Sequence, residues 1–497
     1  MPGEQIGPTE QLEDEAEQVA GGRATFWLLL VGLGALVVSL SQSLLIPVLA
    51  DLPEQLGSDA ATVQWLLTST LLVGAVAVPL LGRLGDMWGK RLMLLVAIGA
   101  MAVGSLITAV SDNVAVLIVG RAVQGVSAGA IPLGISLLAT LLPRKRRAAA
   151  MATISAMLGV GGALGLPLAG LIAEHGDFHT LFWVTTVGAV VAFAGIALFV
   201  PEAHDRTGGR VDIVGGLLLA GALITLLLPL SEGSVWGWSS PAVIWLLAAC
   251  AALVAAFGWW EARHDEPLVD LASLSRRPIL LTNIASLFIG FALFASLIGT
   301  ATYVEMPHET GYGFGTSPLG AGMTMLPSGL AMLVFAPVAA RLINSIGAAR
   351  TLAAGAFIVA IGWVLRVAMH AELWQVVVGS AVVGIGTGIG YAAMPALISA
   401  NTPHHELASA NGVNTVVRSL GSSLASAVGG AILASFTLTL GPAELPSLTA
   451  YRVLFAICGA AALVAAILAL LMPGRSRAQD GEIVVAGTPV AGLAIAE

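Results

Sequence analysis

Fourteen stretches of mostly apolar residues, each long enough to cross a bilayer, follow one another along this chain: 24–50, 61–82, 92–110, 114–142, 148–173, 181–200, 213–231, 241–260, 278–304, 317–340, 351–369, 373–400, 407–437 and 450–472. A span needs about 20 such residues, because an α-helix rises about 1.5 Å per residue and the hydrocarbon core is ~30 Å thick. Longer runs such as 114–142 read as tilted or over-long helices rather than as two spans. Only 10% of the 497 residues are charged and 57% are hydrophobic, against roughly 25% charged in soluble domains. Lipid must therefore serve as part of the solvent, and backbone groups satisfied within each segment make an all-α membrane protein the expected fold. The first run is too long for a signal peptide and is preceded by acids rather than a basic region, so it reads as a first span.

Orientation follows from lysine and arginine, which are retained in cytoplasmic loops. With both ends inside, the inward loops carry Arg83, Lys90, Arg91, Arg144, Lys145, Arg146, Arg147, Arg206, Arg210, Arg263, Arg276, Arg277, Arg341 and Arg350, and the tails add Arg23, Arg475 and Arg477. Outward loops carry only Arg452. The asymmetry predicts an N-in, C-in chain. The net charge of −8 says little about partners, and the chain offers no nucleic-acid signature. Cys250 and Cys458 lie in separate apolar stretches and read as small hydrophobes. The histidine pairs His175/His179 and His404/His405 read as solvated loop residues, with no metal site.

The chain repeats itself. Gly82-Arg83-Leu84-Gly85-Asp86-Met87-Trp88-Gly89 has a faded echo in Ala340-Arg341-Leu342-Ile343-Asn344-Ser345-Ile346-Gly347, and Gly120, Gly125 and Gly129 recur as Gly379, Gly384 and Gly388. The two offsets, 258 and 259, imply two six-helix bundles at 24–201 and 273–472, with 202–272 as an inserted helix pair. Residues 1–23 and 473–497 are expected as disordered cytoplasmic tails.

The segment Gly82-Arg83-Leu84-Gly85-Asp86-Met87-Trp88-Gly89-Lys90-Arg91, between spans 2 and 3, resembles the G-x-L-x-D-x-x-G-[RK]-[RK] loop of the major facilitator superfamily. Leu117 to Gly125 resembles that family's l-x-x-x-R-x-x-q-G motif around Arg121, and Gly161, Gly165, Pro167 and Gly170 resemble the g-x-x-x-G-P-x-x-G-G motif of its exporters. In the last of these the proline is shifted by one and a glycine is replaced by Ala169. The resemblance covers 24–472 and is nearest to the fourteen-helix drug–proton antiporter branch. It implies a gate in which Asp86 meets the N-terminus of span 13, a favourable place for an anion. It also implies a role for Arg121 in proton coupling; an inter-helix tether is the alternative. The implied activity is export of amphipathic drugs or antibiotics by a monomer in the bacterial cytoplasmic membrane, with the proton gradient as energy source and no cofactor.

Helix geometry adds one expectation, and the resemblance adds another. Asn411, Asn414, Arg418 and Ser422 follow a 3, 4, 4 spacing and share one helical face, with Arg418 roughly 16 Å into the bilayer. That stripe, with Gln42 and Ser43 of span 1, is expected to line a wet central cavity, whereas Arg366 lies near an outer helix end from which it can snorkel. Span 1 departs from related exporters in placing Ser41 where they carry a proton-carrying aspartate, and no acid lies deep in any span. The remaining candidate proton carriers are Asp51 and Glu305 at outer helix ends. A proton-coupled importer or a lipid or metabolite transporter shares the fold; the E-x-x-E-R motif of fourteen-helix peptide symporters is missing from span 1. No span carries a constellation suited to an enzyme.

Overall fold

A computed structural model describes residues 8–472 other than 46, 47, 50, 51, 176, 204, 205, 265, 441 and 442; the candidate Asp51 and the tail 473–497 lie outside the described residues. The helices run α1 (Pro8–Leu44), α2 (Leu52–Gln55), α3 (Ala60–Trp88), α4 (Lys90–Ala109), α5 (Val114–Gly125), α6 (Ala130–Leu141), α7 (Arg144–His175), α8 (His179–Phe199), α9 (Ile213–Trp236), α10 (Pro241–Glu261), α11 (Leu271–Ser275), α12 (Arg277–Glu305), α13 (Pro318–Val334), α14 (Ala336–Ile346), α15 (Ala348–Ala368), α16 (Leu373–Asn401), α17 (Leu407–Ser435) and α18 (Leu448–Leu470). Among the described residues, twelve helices are long and apolar enough to cross a membrane, or thirteen if the bent pair α13–α14 counts as one. The protein is a multi-pass membrane protein. Short polar turns cap its helices: Asp59, Asn113, Asp212, Ser240, Ser317 and Ser447 each accept a hydrogen bond from a first-turn backbone N–H.

Irregularities fall where the sequence weakens the helical ladder. The 41° bend between α13 and α14 lies at Phe335, just before Pro337, which brings no N–H to the ladder. A 3₁₀ turn, Val126–Gly129, joins α5 to α6 at the glycines that press against α3: a Cβ on Gly125 would lie 2.6 Å from the Thr70 carbonyl oxygen. Three segments differ from the sequence reading. Helix α1 begins at Pro8, inside the stretch expected as a tail; α9 continues to Trp236, which places Glu232 within the helix; and after α17 a hairpin, β1 (Thr437–Leu440) with β2 (Ala443–Pro446), pairs antiparallel from Thr437↔Pro446 to Leu440↔Ala443.

One apolar core gathers α1, α4, α6, α7 and α8 around Leu94, Leu133, Ile154 and Ala192, and takes in Leu407 and Ala408 from the start of α17. Another gathers α12, α14, α15, α16 and α18 around Ile289, Leu352 and Met394, and takes in Ala148, Ala152 and Ala156 from α7. The first and last parts of the chain therefore meet along α3 and α7 on one side and α17 and α13 on the other. Helix α9 docks on α3 and α17 through Leu223 and Leu227 against Ala75, Val78 and Val416. Helix α10 leans only on the outside, with 11% of its most apolar stretch buried.

Candidate functional site

The turn between α3 and α4 is built around close approach. Gly89 has φ 132°, and a Cβ there would lie 2.5 Å from Glu202 Oε2. Only glycine adopts that backbone freely and leaves that space. Glu202 in turn accepts from the backbone N–H groups of Arg91 (2.9 Å) and Leu92 (3.1 Å), capping α4. The Arg91 guanidinium donates to the carbonyls of Ile196 and Ala197 at the end of α8. Two turns earlier, Gly82 brings α3 against α17, with the Ala408 carbonyl oxygen 2.7 Å from where its Cβ would stand.

This geometry delivers Asp86, 0% exposed, to the N-terminus of α17. Its carboxylate accepts from the N–H of Ala408 (3.1 Å) and of Ser409 (2.8 Å). Both donors belong to the helix's first turn, where backbone N–H groups lack intrahelical partners and the dipole favours an anion. Lys90 Nζ lies 3.6 Å from Asp86 Oδ1 and donates to the His404 carbonyl (2.8 Å). Asn411 Nδ2 adds a bond to Ser136 Oγ (3.1 Å) and Ser136 Oγ one to the Leu407 carbonyl (3.0 Å). Arg83, half-exposed, borders a cavity of about 750 Å³ beside this contact. The two parts of the chain are thus latched at the end of the molecule that holds the α3–α4 turn.

Arg121 is a hydrogen-bond hub between α1, α3 and α5. Its Nε donates to the Leu66 carbonyl (3.1 Å), and Nη1 reaches Gln124 Oε1 (2.7 Å), the Ser41 carbonyl (3.4 Å) and Ser41 Oγ (3.5 Å). Gln124 continues the chain to Ser105 Oγ (2.8 Å). Ser41 therefore sits beside the guanidinium. A second buried guanidinium, Arg366, occupies the place that the sequence repeat matches to it. Adding the repeat offset of 259 to Ser41 and Arg121 gives Thr300 and Ser380, and these are the hydroxyls that Arg366 Nη1 bonds, at 2.7 and 2.9 Å. The cation comes from α15 there, not from α16. At 1% exposure Arg366 does not snorkel, contrary to the sequence expectation: its guanidinium lies 4.6 Å from the Phe455 ring centroid, and its Nε and Nη2 have no partner. Depth along a helix says nothing about which neighbours enclose a side chain.

The polar stripe of α17 is mostly a seam rather than a cavity lining. Asn411 and Asn414 are each 3% exposed. Asn414 Nδ2 donates to Asn283 Oδ1 (2.9 Å) and Ser286 Oγ (3.0 Å) on α12, and Ser422 Oγ to the Gly290 carbonyl (3.3 Å). Arg418 and Ser422 are half-exposed; the Arg418 guanidinium lies 4.7 Å from the Tyr391 ring centroid, with no carboxylate in ion-pair range among the described residues. The correction has a plain cause: spacing identifies a face but not what faces it. Two glycines set the α12–α17 distance, since a Cβ on Gly421 would lie 2.0 Å from the Leu287 carbonyl oxygen and one on Gly290 2.3 Å from that of Arg418. Gly421→Leu should lower the thermal midpoint of the purified protein, because over-packing costs about 1–3 kcal/mol and here meets unyielding backbone. An unchanged midpoint would show that the two helices separate freely.

The α7 glycines serve two neighbours. Gly161 and Gly165 meet α1, where a Cβ would lie 2.6 Å from Ser39 Cβ and 1.9 Å from Ser43 Oγ. Gly170 meets Leu319 of α13 at 2.9 Å, and Gly322 of α13 meets Pro167 N at 2.5 Å. Small residues on both sides let backbones touch. Ser43 is consequently buried in the α1–α7 seam, donating to the Gly161 carbonyl (3.2 Å), while Gln42 is exposed. The structure does not bring Gln42 and Ser43 together with the α17 stripe as one cavity wall.

Of the acids, Glu305 ends α12 half-buried beside Tyr451. Two buried acids escaped the sequence reading. Glu232 (5% exposed) accepts from Thr68 Oγ1 at 3.0 Å, and Glu261 closes α10. Ser231-Glu232-Gly233 reads as a loop, and Glu261 as a terminal charge, unless the packing of α9 is known.

Comparison with known proteins places this architecture. The chain is 27% identical over 423 residues to the tetracenomycin C resistance and export protein of Streptomyces glaucescens, covering 83% of this chain and 77% of that one. It is 26% identical over 420 residues to the multidrug resistance protein Stp of Mycobacterium tuberculosis, covering 84% and 77%. In fold it resembles the crystal structure of the human organic anion transporter TETRAN, with a TM-score of 0.64, 17% identity, and 90% and 99% of the two chains covered. The sequence profile of the Major Facilitator Superfamily matches residues 31–326 and 287–493. With a predominantly helical fold, an Asp86 latch, a profile match across most of the chain and relatives aligned over four-fifths of it in agreement, the chain belongs to the Major Facilitator Superfamily.

Proposed function

We propose that this protein exports amphipathic drugs or antibiotics across a bacterial cytoplasmic membrane, driven by protons, as a carrier rather than an enzyme. It works as a monomer with fourteen spans and both termini inside. The observation that carries the reading is the Asp86 latch, a contact between two bundles made by one charge and two helix-end N–H groups. Such a contact can open and re-form as a unit, which is what alternating access requires. The names of relatives matched over four-fifths of the chain, one for resistance and export and one for multidrug resistance, support the outward direction. The fourteen-span count adds the bent α13–α14 pair and α12, whose 29 residues reach ~43 Å, to the twelve straight helices. Arg121 and Arg418 carry the wrong sign to hold cations, so neutral, anionic or weakly basic compounds are the preferred class. A susceptibility panel in an efflux-deficient host, with and without the gene, tests this. Resistance to neutral antibiotics supports export; enhanced uptake with no resistance would favour an importer.

Proton coupling has its own measurement. Arginine stays protonated at accessible pH, so the outer carboxylates Asp51 and Glu305 are assigned as the coupling groups, with Arg121 acting on the bundle around them. In inverted vesicles carrying a pH-gradient dye, substrate should dissipate the gradient with wild type. The Asp51→Asn/Glu305→Gln double variant should lose that response. A double variant that dissipates the gradient like wild type routes the proton elsewhere.

A further inference from the structure

The helix pair α9 and α10 brings two carboxylates close together where α9 begins and α10 ends. Asp212 caps α9, accepting from the N–H of Gly215 (2.8 Å) and from Trp260 Nε1 (3.0 and 3.1 Å). Glu261, the last residue of α10, is 4% exposed and borders the 750 Å³ cavity. One point measures their approach: the place a Cβ on Gly215 would occupy lies 2.2 Å from Asp212 Oδ2 and 2.6 Å from Glu261 Oε1. Every oxygen of Asp212 has a donor nearby, whereas Glu261 Oε1 is buried with no partner. A buried, unpaired carboxylate oxygen close to a second carboxylate is stabilised by a proton shared between them, because two adjacent carboxylates cannot both ionise cheaply.

The other charged groups around this cavity are already engaged or lie across it. Glu266 accepts from the backbone N–H of Arg210, and Asp270 caps α11 through the N–H of Ala272 (2.9 Å) and Ser273 Oγ (2.6 Å). His405 lies 3.6 Å from Glu406 before α17, Arg83 enters from α3, and His264 stacks on Trp260. Glu261 also connects to the latch. Its Oε2 accepts from the N–H of Val269 (3.4 Å), the neighbouring Leu268 carbonyl accepts from Ser409 Oγ (3.5 Å), and Ser409 N–H donates to Asp86. On the other flank of the pair, Thr207 N–H donates to the Asp86 carbonyl (3.0 Å).

We propose that Asp212 and Glu261 form a shared-proton site, filled from the water of this cavity, that holds the strap at 267–269 on Ser409 and so keeps the Asp86 latch closed. The site takes a proton from hydronium as Glu261 becomes the donor of an O–H···O bond to Asp212. Loss of that proton leaves two facing negative charges, drives Glu261 and its strap off Ser409, and loosens the latch. The closed state binds the extra proton, so it is favoured at low pH and lost as pH rises, with a slope of at most about tenfold in the open-to-closed ratio per pH unit. The inference rests on the gate role given to Asp86 under the export reading.

The experiment uses full-length protein in nanodiscs, with spin labels on the α3 end and the 402–406 turn, titrated from acid to alkaline pH. Wild type should pass from short to long distances as pH rises. Glu261→Gln, which keeps the hydrogen bond without the charge, should stay short throughout; Asp212→Asn provides the same reading from the other side. His264→Gln and His405→Gln should keep the wild-type transition. A wild-type transition in both carboxamide variants, or its loss in a histidine variant, overturns the proposal, as does a wild type that shows none. The dye assay in vesicles is run in parallel: wild type without substrate-evoked proton flux defeats proton antiport while leaving the distance result to stand or fall alone.

Discussion

Replacing Asp86 by asparagine is expected to open the side of the molecule that holds the α3–α4 turn. The carboxylate is wholly buried and holds Ala408 N–H, Ser409 N–H and, at 3.6 Å, the ammonium of Lys90, itself 0% exposed. An amide oxygen can still accept from one N–H, but it leaves the other unpaired and strands the cation. Removing one partner of a buried pair costs about 3–5 kcal/mol. At about 1.4 kcal/mol per tenfold, even 3 kcal/mol weakens the latched state on the order of a hundredfold. Spin-label distances between α3 and the start of α17 should therefore lengthen and transport should fall sharply. Adding Lys90→Met removes the stranded charge, so the double variant Asp86→Asn/Lys90→Met should latch better than Asp86→Asn alone. Unchanged distances with normal transport, or a double variant worse than the single, would remove Asp86 from the gate.

How much of this was readable beforehand depended on what each residue's environment is made of. Spans are legible because lipid imposes one requirement, apolar length, and all twelve straight helices of spanning length coincide with stretches chosen on that basis. The helix that Asp86 meets was legible only through the resemblance of its glycine turn to the superfamily's loop, which pointed to the start of α17, where the carboxylate accepts from Ala408 and Ser409 N–H. Contacts made across the fold were not. The α17 stripe has a correct helical face, but Asn411 turns to Ser136, Asn414 to Asn283 and Arg418 to Tyr391, on three different helices. Ser43 vanished into a seam because the glycines that receive it lie 118 residues away. Glu261 looked like an ordinary terminal charge because its significance comes from Asp212, 49 positions earlier in the sequence and opposite it in space. A repeat offset can expose such pairs, as Ser41 and Arg121 do for Thr300 and Ser380, but only once the side chain between them is seen.

The two buried guanidiniums should respond oppositely to removal of their charge. Arg121 donates to carbonyl and amide oxygens, of Leu66, Ser41 and Gln124, that have no proton of their own to redirect. Arg121→Met would leave those acceptors without their donor, and an unsatisfied buried polar group costs about 1–3 kcal/mol; the backbone carbonyls are in helices and keep one bond, so a total of about 3 kcal/mol is a fair expectation. Arg366 is different. Its partners Thr300 and Ser380 are hydroxyls, which can rotate to other acceptors, and its Nε and Nη2 already lack partners. The ring faces of Phe455 and Tyr303, at 4.6 and 5.9 Å, return some of the cost of burying that cation, at about 0.5–2 kcal/mol for a favourable contact. Replacing a buried charge by an apolar side chain of similar volume is often neutral or stabilising, and methionine fills irregular space among aromatics well. Arg366→Met should therefore leave the thermal midpoint of the purified protein within a few degrees of wild type or raise it, while Arg121→Met lowers it clearly and abolishes export. Arg121→Lys should not rescue, because an ammonium cannot span the Leu66 and Gln124 acceptors as a planar fork does. Equal losses from the two methionine variants would mean that Arg366 has acquired an anionic or water partner and is as fully bonded as Arg121. A harmless Arg121→Met would reduce the Leu66–Ser41–Gln124 hub to packing.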